Sequence, residues 1–213
     1  MSVDLIIFDC DGVLVDTERL ANQITREVLA GYGWELSFEE VVARFMGRSN
    51  KDVNALIGER LGAGDYLKVW RETAAERMAN VEAISGIKEI LVGLEPSQTC
   101  VASSGRHEKM RLTLGSAGLW DYFEGRIFSA TEVENGKPAP DLFLYAARRM
   151  DAQPENCLVV EDSVAGVTGA VAAGMRVFGH ADINTPETLL AAGAHEVGTM
   201  LELSKYLNAQ MSA

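Results

Sequence analysis

Hydrophobic positions along the chain follow two patterns, a short continuous run and longer stretches with apolar residues every three or four positions. The first run, Leu5 to Phe8, ends at once in the polar segment Asp9 to Asp11. A short run of this kind is typical of a strand buried on both faces in a parallel sheet. Apolar residues at helical spacing then predict a helix over 17–30 and continued helical structure over 37–79.

From Ser85 onward the sequence alternates between helical and strand-like patterns. The predicted helices are 87–94, 107–117, 141–150 and 165–173, and the predicted strands are 99–102, 126–129, 157–160 and 176–178. Two further short elements are expected to close the chain. Strands that alternate with helices indicate βαβ units and a parallel sheet with helices on both faces. We therefore interpret residues 17–81 as an all-helical insertion after the first strand.

Composition and charge narrow the possible functions. The chain has 213 residues, of which 47% are hydrophobic, enough for one substantial core or a core with a small inserted domain. Its formal net charge of -12 disfavours binding to nucleic acid or to an anionic membrane, both of which need a basic face. A small anionic substrate remains compatible, because a metal and one or two local cations can reverse the field inside a pocket.

The cysteines and the apolar runs favour a cytoplasmic protein. Cys10, Cys100 and Cys157 lie within or beside apolar runs, which predicts buried thiols in a reducing compartment rather than disulfides. The N-terminal residues lack the basic and apolar segments of a signal peptide. No apolar run approaches the ~20 residues that a membrane-spanning helix needs.

The first strand ends in the most informative residues of the chain, Asp9 and Asp11. Residues two apart in a strand point to the same side, here at the end of the sheet where open α/β folds bind ligands. At about 4 Å and an effective dielectric near 20, two carboxylates repel each other by roughly 4 kcal/mol, so a nearby cation is needed. Taken alone, Asp-x-Asp-Gly also fits an ordinary polar turn, since Asp and Gly are common turn residues.

Polar residues follow later elements in a similar way. The second strand leads into Ser103 and Ser104, and the fourth leads into Glu161 and Asp162. Lys137 lies in a turn restrained by prolines, directly before a helix. Singly, these features fit a loop, a helix N-cap and a solvated lysine. Together with the first acid pair they supply oxygen ligands for Mg²⁺, a carboxylate nucleophile, a cation and neutral donors for a phosphoryl group.

Four motifs occur in one order along the chain: DCDGVLVDT from Asp9, a serine after the second strand, GKPAPD from Gly136, and EDSVAG from Glu161. Their order and spacing over nearly the whole chain resemble the haloacid dehalogenase (HAD) superfamily. The similarity is greatest to its phosphatase and β-phosphoglucomutase-like branch, which carries a helical cap after the first strand. The resemblance implies a Rossmann-like α/β core of residues 1–16 and 82–213, with the cap at 17–81.

The resemblance also implies a role for each motif residue. Asp9 matches the nucleophile that forms an aspartyl-phosphate, and Asp11 matches the acid that protonates the leaving oxygen and then activates water. Lys137 matches the lysine that neutralises phosphoryl oxygens and the acid cluster. The implied phosphate-binding residues are Ser103, Ser104 and Lys137, and the implied Mg²⁺ ligands are Asp9, Asp11 through its backbone carbonyl, Glu161 and Asp162.

Other reactions of the same superfamily fit these residues less well. Haloacid dehalogenation and phosphonate hydrolysis both proceed without the second acid that Asp11 provides. Sugar-phosphate mutases carry a cap histidine where this chain has Ala21, and a cap arginine where it has Asn50, two residues after Arg48. These departures favour a phosphatase, with a β-phosphoglucomutase-like mutase as the alternative.

Two interpretations from other classes stay open. The segment from Cys100 to Arg106 fits C-x₅-R, the phosphate loop of cysteine-based phosphatases, although Cys100 lies inside an apolar strand and no histidine precedes it. A regulatory or binding protein that kept the fold and lost turnover is more remote, because no required residue is missing.

We therefore expect a Mg²⁺-dependent phosphoric monoester hydrolase that acts on a small phosphorylated metabolite, such as a sugar or sugar-acid phosphate. We expect a monomer or weak homodimer with no nucleic-acid or membrane partner, and an active site between core and cap. Cap closure is expected to exclude water from that site. The predicted substrate contacts are Thr17, Glu18, Arg48, Ser49, Asn50 and Arg106.

Overall fold

Two compact units make up the chain in a computed structural model, which describes residues 3–45, 50–62 and 64–211. One unit comprises Met1–Asp16 with Val81–Ala213, and the other comprises Thr17–Asn80. Arg48, Ser49 and the side chain of Asn50 lie outside the described residues. The first unit contains the sheet, whereas the second has only helices, turns and loops over its described residues.

The first unit is built on a parallel sheet, as the alternating patterns predict. Within the described residues its strands run in the order β3-β2-β1-β4-β5-β6, and each neighbouring pair is parallel. This is the order of a doubly wound α/β fold and confirms the predicted fold class. The strands are β1 Leu5–Phe8, β2 Thr99–Ser103, β3 Ile127–Ser129, β4 Cys157–Glu161, β5 Arg176–His180 and β6 Glu196–Gly198.

Helices account for the rest of the regular structure in the part of the chain that is described. The second unit contains α1 Thr17–Gly31, α2 Phe38–Phe45, α3 Asn50–Leu61 and α4 Tyr66–Met78. The first unit contains α5 Ile87–Val92, α6 His107–Ser116, α7 Trp120–Phe123, α8 Asp141–Arg149, α9 Val164–Ala172, α10 Pro186–Ala191 and α11 Met200–Met211. Short 3-10 turns occupy Pro96–Gln98, Ala130–Glu132 and Pro154–Asn156.

Strand register brings the predicted motif residues to one edge of the sheet. Phe8, the last residue of β1, pairs with Val101 of β2 on one side and Val160 of β4 on the other. The Asp9 N–H then donates to the Val160 carbonyl at 2.9 Å, which extends the β1–β4 ladder by one residue. The strand order reverses between β1 and β4, and ligands bind at such a switch point in open α/β sheets.

The core of the first unit fixes the strands that carry the site. Ile7 pairs with Cys100 and Val159 on its two sides, and all three are fully buried with Phe143 of α8 and Val167 of α9. Burying an apolar side chain of this size contributes about 1.5–3 kcal/mol relative to its exposure. The three cysteines are buried free thiols, as their apolar surroundings predict.

The helical unit has a core of its own. Ile24 of α1, Val41 of α2 and Ile57 of α3 are buried together, and the Trp70 indole N–H of α4 donates to the Thr25 hydroxyl at 3.0 Å. The helical spacing of the apolar residues therefore reflects a real buried face.

The structure differs from the sequence prediction near the C-terminus and at one short helix. Three elements, α10, β6 and α11, occupy the region where two short elements are expected, and α11 has 12 residues. The four-residue helix α7 was not predicted because it is too short to show a helical period. It lies between Gly118 and Gly125, which adopt φ of 66° and 77°. No helix among the described residues is long and apolar enough to span a membrane.

Candidate active site

A buried ion-pair cluster lies at the carboxyl ends of β1 and β4. The Lys137 ammonium group donates to Asp9 Oδ1 at 2.5 Å and to Glu161 Oε1 at 2.6 Å. The side chains of Lys137, Asp9 and Glu161 are only 4%, 9% and 1% exposed. Lys137 is carried by the loop before α8, and it also lies over the Phe143 ring with its Nζ 5.0 Å from the centroid. The structure thus brings together three residues that are far apart in the sequence.

Burial controls the protonation of this cluster. Desolvation raises the pKa of the Asp9 carboxyl to about 7, while Lys137 opposes the shift and the neighbouring Glu161 and Asp11 charges reinforce it. Burial acts to lower the pKa of Lys137, but the two carboxylates outweigh it and raise that pKa. One ammonium group therefore serves two buried carboxylates, and additional positive charge near Asp9 would favour its ionised form.

Glu161 is held rigidly on both of its carboxylate oxygens. Oε1 accepts from Lys137, while Oε2 accepts from the Ser163 N–H at 2.8 Å and from the Ser163 hydroxyl at 2.9 Å. Gly166, in the first turn of α9, leaves space for this carboxylate: an added Cβ would lie 1.7 Å from Glu161 Oε1. These contacts make Glu161 a support for Lys137 and hold its carboxylate in one orientation.

Replacing Gly166 by alanine is expected to destabilise the protein by about 1–3 kcal/mol, because the added methyl group displaces the Glu161 carboxylate from its bonds. Gly115, in the last turn of α6, is a matched control since nothing lies within 4 Å of an added Cβ. Gly115→Ala is expected to stabilise by up to about 1 kcal/mol, the helix-propensity difference. Urea denaturation measures both changes. A Gly166→Ala protein as stable as the wild type would show that Glu161 moves freely and is no fixed support.

Asp162 lies against the turn that carries the first acid pair. An added Cβ on Gly12 would meet Asp162 Oδ2 at 2.2 Å, and Gly12 also adopts φ of 81°, which only glycine adopts readily. The Asn184 side-chain amide donates to the Asp162 carbonyl at 2.8 Å and holds its backbone. Glycine at position 12 is therefore required both for the turn and for the approach of the Asp162 carboxylate.

The oxygen donors fit a magnesium ion better than a metal that needs many protein ligands. Among the described residues, no three His, Cys, Asp or Glu side chains form a ready metal-binding group. Mg²⁺ is usually held by one or two carboxylates together with waters and substrate phosphate. The Asp162 carboxylate lies against Gly12, in the turn that also carries Asp9 and Asp11, so the residues predicted as ligands include oxygen donors of that kind.

Ser103 ends β2 beside this cluster and begins the predicted phosphate loop. It is buried, and its hydroxyl oxygen accepts from the Gly105 N–H at 3.1 Å. The Ser129 hydroxyl at the end of β3 donates to the Gly105 carbonyl at 2.7 Å. Ser104 and Arg106 are exposed, with Arg106 at the N-cap position of α6. The loop is therefore fixed at Gly105, while its neighbours face solvent.

The Glu132 carboxylate supports the Ser103 loop indirectly, through contacts with neighbouring elements. Glu132 accepts from the Ser129 N–H at 2.7 Å and the Tyr145 hydroxyl at 3.1 Å, and it pairs with His107 Nε2 at 3.0 Å. Partial burial acts to raise the pKa of Glu132, but these hydrogen bonds outweigh it and lower that pKa. The network ties the start of α6 to β3 and α8, on which the position of Gly105 depends.

Lys109 is a site residue that the sequence motifs do not include. Its ammonium group lies 2.8 Å from both carboxylate oxygens of Asp11. Burial acts to lower the pKa of Lys109, but the Asp11 carboxylate outweighs it and raises that pKa. The available sequence signal was its position three residues after Arg106, on the first turn of the helix that follows the serine loop.

The cysteine-based alternative does not fit the structure. Cys100 is fully buried within β2, one residue before Val101 and away from the strand end. Burial raises the pKa of its thiol far above the usual range, whereas a thiolate nucleophile needs a lowered pKa. Burial likewise raises the pKa of Cys10, and that thiol packs in the core as expected.

The structure covers the predicted substrate contacts only in part. Thr17 is buried and Glu18 is partly exposed, both in the first turn of α1. Arg48, Ser49 and the side chain of Asn50 lie outside the described residues, so their predicted role stays a prediction.

A cavity of about 460 Å³ lies within the helical unit itself. Glu18 and Ala21 of α1 and Trp70 and Arg71 of α4 contribute to its lining. In the sequence, Ala21 is matched to the cap histidine of the mutases, and at this position the cavity wall offers a methyl group.

A buried acid–lysine cluster at the switch point of a parallel sheet is typical of α/β enzymes that bind their ligands at the carboxyl ends of the strands. The family model for haloacid dehalogenase-like hydrolases matches residues 6–180. The chain therefore belongs to the haloacid dehalogenase-like hydrolases, which confirms the resemblance found in its motifs. Membership makes it an enzyme of the hydrolase class.

Similar proteins cover 83% to 98% of the chain. The 6-phosphogluconate phosphatase of Escherichia coli K12 is 33% identical over 181 residues, 83% of this chain and 81% of that protein. A HAD family hydrolase from Deinococcus radiodurans, solved with bound phosphate and sodium, has a TM-score of 0.90 and 31% identity, covering 97% of this chain and 96% of that one. A putative β-phosphoglucomutase from Thermotoga maritima has a TM-score of 0.82 and 28% identity, covering 98% and 99%.

Proposed function

We propose that the protein is a Mg²⁺-dependent phosphatase that hydrolyses a small sugar or sugar-acid phosphate through an aspartyl-phosphate on Asp9. The observation that carries the proposal is the buried Lys137–Asp9 pair at the end of the central strand β1. It sets a carboxylate nucleophile next to a fixed cation. The relative that cleaves 6-phosphogluconate, and the neighbour with phosphate bound, support the substrate class.

In the first half of the proposed reaction, an Asp9 oxygen attacks phosphorus and the bond from phosphorus to the ester oxygen breaks. Asp11 gives its proton to that departing oxygen, so the product leaves as an alcohol. Lys137 and the Ser103 loop neutralise and orient the phosphoryl oxygens. Because the reaction needs positioning and charge neutralisation above all, a preformed cluster of this kind suits it.

In the second half, a water molecule attacks phosphorus and gives a proton to Asp11. The bond from phosphorus to the Asp9 oxygen breaks, inorganic phosphate leaves, and both carboxyl groups return to their starting states. Each turnover therefore consumes one water and releases one alcohol and one phosphate.

Asp9, Asp162 and the Asp11 carbonyl would hold the magnesium ion of this proposal. Bound there, Mg²⁺ would supply positive charge that offsets the repulsion of the anionic nucleophile by the anionic phosphoryl group. Glu161, predicted as a fourth ligand, has both oxygens engaged by Lys137 and Ser163. Its carboxylate supports Lys137, and its predicted role as a metal ligand stays a prediction.

A sugar-phosphate mutase is the second candidate, favoured by the structural neighbour from Thermotoga maritima. Ala21 argues against it, because a methyl group cannot exchange protons with a substrate hydroxyl. In a phosphatase, water takes the phosphoryl group from Asp9, whereas in a mutase a second substrate hydroxyl takes it.

Phosphate release from a panel of phosphorylated metabolites tests the proposal. The panel contains hexose 1-phosphates, hexose 6-phosphates and 6-phosphogluconate, each with Mg²⁺ and with excess chelator. We expect Mg²⁺-dependent release concentrated on a few sugar or sugar-acid phosphates. Conversion of a hexose 1-phosphate to the 6-phosphate without release would favour the mutase, and no turnover of any kind would favour a regulatory protein.

A further inference from the structure

The Lys109–Asp11 contact uses both oxygens of the carboxylate. The two Nζ–Oδ distances are equal at 2.8 Å, so the ammonium group sits symmetrically across the carboxylate. The Asp11 side chain is 19% exposed and that of Lys109 is 44% exposed. Such a contact restricts rotation of the Asp11 carboxylate, which a single hydrogen bond to one oxygen would not do.

The position of Lys109 is fixed by the same segment that forms the phosphate loop. Helix α6 begins at His107, and its buried face contains Met110 and Leu114. The Lys109 carbonyl accepts from the Thr113 hydroxyl at 3.1 Å. The stem of Lys109 passes over Gly105, since an added Cβ there would lie 3.7 Å from its Cδ. One segment thus delivers both the Ser103 loop and the cation on Asp11.

The two lysines of the site form ion pairs with different acids. Lys137 pairs with Asp9 and Glu161, whereas Lys109 pairs with Asp11. Lys137 already donates to two carboxylates, Asp9 and Glu161, so a third carboxylate would compete with those bonds. Separate cations keep the two acids in separate positions, as their different chemical tasks require.

We propose that Lys109 is a positioning residue that holds the Asp11 carboxyl group in the orientation from which it exchanges protons with the leaving oxygen and with water. The proposal rests on the phosphatase function proposed above. Lys109 keeps its own protons throughout, and the proton that moves belongs to Asp11, the alcohol or water. When Asp11 carries that proton, one of its oxygens holds the proton and the other keeps the hydrogen bond from Lys109. The role differs from that of Lys137, which acts on the nucleophile and the phosphoryl group.

A merely structural surface ion pair would behave differently. The Lys109 side chain is 44% exposed, and ion pairs with a partner at the surface contribute only about 0–1 kcal/mol, so Lys109→Met should change the free energy of unfolding little in either case. If Lys109 positions Asp11, the variant should lose much of its kcat while its free energy of unfolding changes little. Lys88 on α5 is exposed and serves as the matched control, with Lys88→Met expected to leave both activity and stability unchanged.

Substrates with different leaving groups test whether Lys109 acts in proton transfer. For a sugar phosphate, whose alcohol needs a proton to depart, Lys109→Met should lower kcat about 10- to 100-fold, part of the effect of general acid–base catalysis. For p-nitrophenyl phosphate, whose phenolate departs without a proton, the first turnover should change by less than about 3-fold. A burst of one p-nitrophenolate per enzyme should then precede slow turnover. Lys109→Arg should recover part of the sugar-phosphate activity.

A double-mutant cycle tests whether Lys109 acts through Asp11. The single variants Lys109→Met and Asp11→Asn are compared with the double variant on the sugar phosphate that the panel identifies. If the lysine acts only through the carboxylate, adding Lys109→Met to Asp11→Asn should lower kcat no further. Additive losses would overturn the proposal and place Lys109 in direct contact with the phosphoryl group.

The outcomes distinguish this proposal from the function on which it rests. An active wild type with equal losses for both leaving groups, or a fully active Lys109→Met, would overturn the role of Lys109 and leave the phosphatase intact. A wild type that cleaves neither ester would contradict the phosphatase and the role of Lys109 together.

Discussion

Replacing Asp9 by asparagine should reduce phosphate release by about 10⁴-fold or more, because an amide oxygen cannot act as the attacking nucleophile. Asparagine has nearly the same shape as aspartate, so the fold should be retained. The backbone bond from residue 9 to the Val160 carbonyl is also unaffected by the change. Steady-state release from the best substrate of the panel, together with a urea denaturation curve, measures both expectations.

Cys100→Ser is the control for the competing nucleophile. It removes a buried thiol at the start of the C-x₅-R segment and should leave most of the activity. Loss of activity in Cys100→Ser with an active Asp9→Asn protein would reject the carboxylate mechanism. Similar losses in both would point to damage of the β1–β2 core rather than to either nucleophile.

Lys137→Ala should lower kcat about 10³-fold, because it removes the cation that holds Asp9 and stabilises charge on the phosphoryl group. The same change leaves Asp9 and Glu161 buried without their common partner. Breaking a buried pair in this way costs about 3–5 kcal/mol, so the variant should also unfold at lower urea concentration. Activity is therefore measured at a temperature where circular dichroism shows the variant to be folded.

The exposed Lys88 provides the matched control for this variant as well. Lys88→Ala should retain wild-type activity and stability. A folded Lys137→Ala protein with wild-type kcat would mean that the proline-restrained turn is structural only. It would also remove the observation on which the proposed function depends.

The sequence was sufficient to predict the residues at the strand ends, for a clear physical reason. A continuous apolar run is long enough to predict a buried strand, and the first polar residue after it must lie at the edge of the sheet. The structure places Asp9, Ser103 and Glu161 at the end of, or directly after, β1, β2 and β4 in this way. Their convergence followed from the parallel topology that the alternation of patterns predicts.

The sequence did not reveal contacts that depend on side-chain packing across the fold. Lys109 is one of several charged residues near the start of α6, and no periodicity separates it from Arg106 or Glu108. Its role becomes visible only when the helix is placed beside the turn that carries Asp11. Similarly, Gly166 looks like an ordinary helix glycine until the Glu161 carboxylate is seen in the space of its missing side chain.

Two short elements, α7 and β6, were also not identified from the pattern of apolar and polar residues. Helix α7 has only four residues, about one helical turn, and β6 begins with the exposed Glu196 instead of an apolar run. β6 is identified by its pairing with Phe178, Gly179 and His180 of β5 rather than by its own composition. Boundaries of the longer elements moved by only one or two residues, because they depend on fraying ends and not on the buried face.

The most direct test of the account is to locate the phosphoryl group on the protein. The Asp11→Asn variant is mixed with p-nitrophenyl phosphate and Mg²⁺, quenched in acid, digested and mapped by mass spectrometry. Because the phenolate leaves without a proton and the second half of the reaction is slowed, the acyl-phosphate should accumulate on the peptide that contains Asp9. A wild type that releases phosphate while the variant carries no phosphoryl group on Asp9, or carries it on Cys100, would contradict the account.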